Sequence, residues 1–122
     1  MSATELNAAQ ALVRRIPVSR GLIRSAVTLT RLTRPGDAEA PAMVREYVDW
    51  GAGPRASQYL VLGAKARAAL AGRPMADLDD VRSVAPAVLR HRVVTNFAAE
   101  AADRTSEDIV RELVGSKGWL AA

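Results

Sequence analysis

The chain has 122 residues, a length for one compact domain with a modest core and not for two. Its 49% apolar and 25% charged residues have the balance of a soluble globular protein. No apolar run approaches the roughly 20 residues of a membrane span, and the absence of cysteine excludes disulfides and thiolate metal sites. The net charge of +4 is unevenly placed: residues 1–35 carry six arginines against Glu5 alone, and the remainder is nearly balanced.

The opening "MSATELNAAQ" has no basic start followed by an apolar stretch, so no signal peptide is expected and the cytoplasm is the expected compartment. Leu6, Ala9, Val13 and Ile16 recur at helical spacing in a first helix, which Pro17 ends. Ser19 can cap a second helix, with Leu22, Ala26, Leu29 and Thr33 on one face and Arg20, Arg24 and Arg31 elsewhere. "TRPGDAEAP" reads as a turn-rich connection. A short helix is expected from Pro41 to Val48, broken by "DWGAG". The longest helix runs from about Pro54 to Ala71, with Tyr59, Leu62, Ala66, Ala69 and Leu70 as its expected inner stripe and Gly72 as its stop. Asp77 and Asp80 mark the next helix start, where Asp79 and Asp80 suit the helix dipole. Val81, Val84, Ala85 and Val88 are expected to face inward there, with Pro86 bending or restarting the helix. Arg92 to Thr95 can be extended. Thr105 or Ser106 can cap a last helix that buries Ile109, Val110, Leu113 and Val114. Residues 1–4 and 115–122 are expected to be frayed ends of a single domain over 1–122. No alternating run of useful strand length and no repeat occurs, so the expected fold class is all-α, a small helical bundle.

Catalytic signatures are missing. Neither Lys65 nor Lys117 follows the glycine spacing of a phosphate-cradling P-loop, and no G-x-S-x-G elbow occurs. One histidine, His91, leaves too few ligands for a zinc or haem site, so no metal is expected. The chain by itself is not expected to be an enzyme. Its basic first third could meet nucleic acid, an acidic partner or another domain. Arginine with abundant alanine also follows from a GC-rich genome, so this charge alone assigns no partner.

The sharpest feature is "VDWGAGPRAS", residues 48–57. With Gly53 as cap and Pro54 as the first helical residue, Arg55 falls in the first turn. The amides there lack partners inside the helix, and the dipole disfavours a cation. A phosphate reverses that sign: it accepts the free amides and matches the guanidinium fork. Gly51 and Gly53 would let the backbone approach a ligand. From the residues alone, Arg55 bending back onto Asp49 or Glu46, or pointing into water, stays equally open. Trp50 can wedge the turn against the bundle, the favoured reading, or cover a nucleotide. Ser57 can cap or touch phosphate.

The run "YVDWGAGPRASQYLVLGAKARAALAGRP", with the later "DVRSVAPAVLRHRVVTNFAAEA" and the upstream "ALVRRIPVSRGLIRSAVTLTRLTRP", resembles the C-terminal lid of MoxR-type AAA+ ATPases over about residues 5–115. That resemblance implies that Arg55, with Gly53 and Pro54, is the nucleotide-facing sensor 2 element. It implies ATP with magnesium held between the lid and a P-loop core in the intact ATPase, and no cofactor for this chain alone. The implied partners are that core and neighbouring subunits of a hexameric ring, with chaperone-like remodelling of client proteins as the outcome. Trp50, Gly51, Ser57, Arg90, His91 and Arg92 are then supporting or interface candidates. Thr33-Arg34-Pro35 matches the family's T-R-P run, and its physical reading is a helix C-terminus with a favourable cation. Arg90, His91 and Arg92 at a helix end carry the same reading, or contact the core or a neighbour. Two other classes remain: a basic helical nucleic-acid-binding module, for which the second helix offers few base-reading side chains, and a stand-alone adaptor that binds a partner ATPase.

Overall fold

The computed structural model describes residues 1–120. Seven helices and two short strands follow one another among them: α1 (Ala3–Arg15), α2 (Arg20–Leu32), α3 (Ala42–Tyr47), β1 (Val48–Trp50), α4 (Pro54–Leu70), α5 (Leu78–Leu89), β2 (Val94–Thr95), α6 (Phe97–Ala101) and α7 (Ser106–Gly115). The fold is all-α, as expected. The extended stretch around Arg92–Thr95 becomes β2, which pairs antiparallel with β1 through Val48–Thr95 and Trp50–Val94.

Helix boundaries follow from capping. Ser2 accepts from the amide of Glu5, and Ser19 from that of Leu22 at 3.0 Å. Asp77 with Asp80, and Thr105 with Asp108, form reciprocal capping boxes at the starts of α5 and α7. Thr105 is therefore the cap of α7, while the hydroxyl of Ser106 donates to the carbonyl of Arg90 at 2.8 Å. Gly72, at φ +70°, ends α4 in a left-handed turn in which Arg73 donates to the carbonyl of Ala68 at 2.9 Å. Asp103 takes the same role after α6, a helix the sequence reading did not separate.

α4 lies at the centre, with α2 and α5 against it and α7 behind α5. Its buried face is Ala56, Leu60, Ala64 and Ala68, not the expected Tyr59, Leu62, Ala66, Ala69 and Leu70; Leu70 is 91% exposed. Small residues win because α5 approaches closely: a side chain at Gly63 would meet Val84 at 3.2 Å. On α5 the buried apolar residues are Val81, Ala85 and Leu89, with Val84 and Val88 half-buried, and the helix continues through Pro86. α1 lies on the outside and fully buries none of its residues. It is tied to α4 by Lys65, which donates to the carbonyl of Arg14 at 3.0 Å.

Both ends carry structure. Helix α1 begins at Ala3 with Ser2 as its cap, within the stretch expected to be frayed. At the other end, residues 115–120 supply a core side chain. Trp119 is the largest fully buried side chain, its ring nitrogen donates to the carbonyl of Val114 at 3.0 Å, and Arg82 lies over the ring. A buried indole with its N–H satisfied outweighs the entropy of a short glycine-containing tail. Ala121 and Ala122 lie outside the described residues.

One buried charge secures the α4–α5 connection. Asp80 is 1% exposed, and both terminal nitrogens of Arg73 grip its carboxylate, with Arg67 also in range at 3.3 Å. The Arg73 hydrogen bonds, with help from the amide of Asp77, pull the Asp80 carboxyl down to about 2 against the opposing effect of burial. The unfolded carboxyl titrates near 3.8, so the folded state binds its proton later. This stabilisation is complete above the unfolded value and lost as pH falls from about 4 towards 2, in all about 2 kcal/mol. Asp108, which accepts from the amide of Thr105, is shifted the same way. The measurement is therefore a difference: acid denaturation of Asp80→Asn against wild type. The variant is expected to start less stable at pH 6 and to lose less between pH 4 and 2. Parallel acid profiles would show that Asp80 does not titrate as described.

Candidate functional site

The start of α4 carries the arginine that the sequence singles out. Gly53 is the extended cap residue, Pro54 opens the helix, and no acidic residue lies in the first turn. Ala56 donates back to the carbonyl of Gly53 at 3.0 Å. The Arg55 side chain is exposed and has no hydrogen bond or ion pair among the described residues; Asp49 and Glu46 do not hold it. A solitary cation at the positive end of a helix is unfavourable by about 0.3–1 kcal/mol. An anion at that place would neutralise it and accept from first-turn amides. The residues present fit a phosphate group.

The two glycines have different reasons. At Gly53 an added side chain would meet nothing within 4 Å, so the approach to the helix start is open. At Gly51 a Cβ would stand 2.5 Å from the carbonyl oxygen of Thr33, so this glycine serves backbone packing against α2, not room for a ligand. Ser57 is not the cap either. Its hydroxyl donates to the carbonyl of Pro54 at 2.6 Å, one turn into the helix.

Trp50 corrects the favoured sequence reading. It is 73% exposed, and Val94, its cross-strand neighbour, is also exposed. The ring does not wedge the turn against the bundle, because the bulged pairing with β2 turns it outward while Val48 takes the core position. Trp50→Ala is accordingly expected to change stability by no more than about 0.5 kcal/mol in urea denaturation. A loss near 3 kcal/mol would mean that the ring is buried after all.

Arg90, His91 and Arg92 have internal partners. Arg90 donates to His91 at 3.3 Å and reaches Glu107 at 3.9 Å. Arg92 donates to the carbonyl of Val88 at 3.1 Å, closing the end of α5, and lies 4.8 Å over the ring of Tyr59. Tyr59 is one turn along α4 from Arg55, so Arg92 stands on the same helix face as Arg55. Of the basic first third, Arg31 pairs with Asp37 and Glu39, and Arg34 donates to the carbonyl of Ala52 at 2.8 Å. Among the described residues no group of three His, Asp or Glu side chains is arranged to hold a metal ion. No described helix is long and apolar enough to cross a membrane.

The sequence reading missed how the Gly51–Gly53 turn is held. Thr33 and Arg34 do this from the end of α2. The signal was present: a polar Thr-Arg pair at a helix end, ahead of a Gly-x-Gly turn. The spacing of 18 residues between them conceals the contact.

The arrangement is thus a small helical bundle whose central helix, α4, opens on an arginine with no hydrogen bond or ion pair among the described residues. The sequence pattern of the AAA lid domain matches residues 40–113. The chain belongs to the AAA lid domain family. Its type within that family is the lid of a MoxR-type AAA+ ATPase. It is 36% identical over 93 residues to the chaperone MoxR1 of Mycobacterium tuberculosis, an alignment that covers 76% of this chain and 24% of the chaperone. It also superposes on the crystal structure of a candidate ATPase from Cytophaga hutchinsonii with a TM-score of 0.78 and 27% identity, over 85% of this chain and 32% of that one. The chain thus spans about a quarter to a third of the length of these relatives.

Proposed function

We propose that this lid closes over ATP bound to a P-loop core and that Arg55 is its sensor 2 arginine. The single observation that carries the reading is the guanidinium of Arg55 in the first turn of α4, without a hydrogen bond or ion pair among the described residues, at the position the resemblance assigns to the sensor. Arg55 and the first-turn amides contact the terminal phosphates, and Gly53 leaves the approach open. Carboxylates that hold magnesium come from the core. Alone, the lid binds no cofactor and turns over no ATP. Its rigid helical body converts the state of the nucleotide into movement against the core and neighbouring subunits of a ring, a hexamer in this reading. The exposed Trp50 and Val94, beside the Arg55 turn, supply apolar contact across that junction. The likeness to a chaperone supports remodelling of client proteins as the outcome, with the cytoplasm as the proposed compartment.

The experiment compares the ATPase carrying this lid with its Arg55→Ala variant, alongside the thermal stability of the lid. Lost turnover with an intact lid supports the sensor assignment. Unchanged turnover per folded molecule removes it.

A further inference from the structure

Ala52 lies between Gly51 and Gly53, and it is 1% exposed. Two consecutive residues at the end of α2 take both of its backbone polar groups. Its N–H donates to Thr33 Oγ1 at 2.9 Å, and its carbonyl accepts from Arg34 Nε at 2.8 Å. The Thr33 hydroxyl donates in turn to the carbonyl of Thr30 at 2.6 Å, which leaves a lone pair directed at Ala52. Thr33 is buried, and its carbonyl lies so close to Gly51 that only glycine fits there. Arg34 makes no ion pair with an acid among the described residues and directs its Nε–H at a neutral carbonyl. A dipole-favouring cation at a helix end needs none of these contacts. The bonds to Ala52 join the end of α2 to the residue that stands three positions before Arg55.

We infer that Thr33 and Arg34 are positioning residues for Arg55: they clamp Ala52 so that the Arg55 turn moves with α2 as one body. The inference rests on the proposed sensor role of Arg55 and names what aims it. Neither residue touches the nucleotide in this account. Their effect on hydrolysis passes through Arg55 alone.

Two measurements test it. In this chain, amide hydrogen exchange at Ala52 reads the Thr33 bond directly and the Arg34 bond, made to the Ala52 carbonyl, through the opening of the turn. Arg34→Ala and Thr33→Val are each expected to speed exchange at Ala52 at least about tenfold, the loss of one ordinary hydrogen bond, with Leu60 and Leu113 unchanged. Thr33→Ser, which keeps the hydroxyl, is expected to retain protection. Unchanged exchange at Ala52 in both variants overturns the clamp. If Thr33→Val unfolds the lid, Arg34→Ala, a partly exposed site, carries the test. In the ATPase carrying the lid, Arg34→Ala is expected to lower kcat about 10- to 100-fold, the penalty of a catalytic group displaced by roughly 1 Å, with KM little changed. In an Arg55→Ala background the same substitution is expected to add nothing. A further multiplicative loss there means that Arg34 acts independently, and overturns the inference. A large effect of Arg55→Ala with none of Arg34→Ala overturns the positioning role and leaves the sensor role standing. No effect of Arg55→Ala removes the sensor role itself, whatever exchange at Ala52 shows.

Discussion

Replacing Arg55 with alanine is expected to lower ATPase turnover about 100- to 1,000-fold while leaving the lid folded. The two halves of that result have separate causes. Arg55 is exposed and has no hydrogen bond or ion pair among the described residues, so its removal breaks neither. It also relieves a cation at the positive end of α4, so the melting temperature should stay level or rise slightly. In the proposed sensor role, the catalytic loss arises because a guanidinium that meets developing phosphate charge acts most strongly in the transition state. Arg55→Lys should recover only part of the rate, since an ammonium lacks the bidentate fork. Thermal melts of the lid and steady-state turnover of the ATPase read the two halves. An unfolded lid with normal turnover per folded molecule would make Arg55 a structural residue.

Trp119→Ala is expected to be the most destabilising single change in the lid, at about 3–5 kcal/mol. The ring is fully buried, its N–H is bonded to Val114, and Arg82 covers it, so truncation opens a cavity at the end of α7. Trp119→Phe keeps most of the packing but leaves the Val114 carbonyl short of a donor, and should cost about 1–2 kcal/mol. Urea denaturation measures both. Fluorescence gives an independent reading, because the chain has two tryptophans of opposite setting, Trp119 buried and Trp50 73% exposed. Removing Trp119 should leave only red-shifted emission, and removing Trp50 only blue-shifted emission. A Trp119→Ala loss within about 0.5 kcal/mol would place the ring at the surface.

Much of the lid is legible in residue order because its signals are local. Ser19, Asp77 with Asp80, and Thr105 mark helix starts by the reach of a short side chain to an amide three residues on. Gly72 marks a stop because the turn there needs a positive φ. The anion-ready start of α4 is equally local, a Gly-Pro-Arg order that creates the cap, the first turn and the unfavoured cation together. The fold class, most helix boundaries and the place of Arg55 were therefore determined by the sequence itself.

What only the tertiary structure decided are the matters settled between segments. α4 is apolar on several faces, and the close approach of α5 at Gly63 selects its alanine face over Tyr59 and Leu70. Trp50 and Trp119 exchange their expected places because a large aromatic is buried wherever the assembled core leaves a cavity that also satisfies its N–H. Trp119 finds that cavity behind α5 and α7, whereas β1 pairs with β2 and turns Trp50 outward. Thr33 and Arg34 meet Ala52 across 18 or 19 residues of chain, with α3 and β1 between them. No periodicity records such a contact, because it exists only once α2 and α4 have packed.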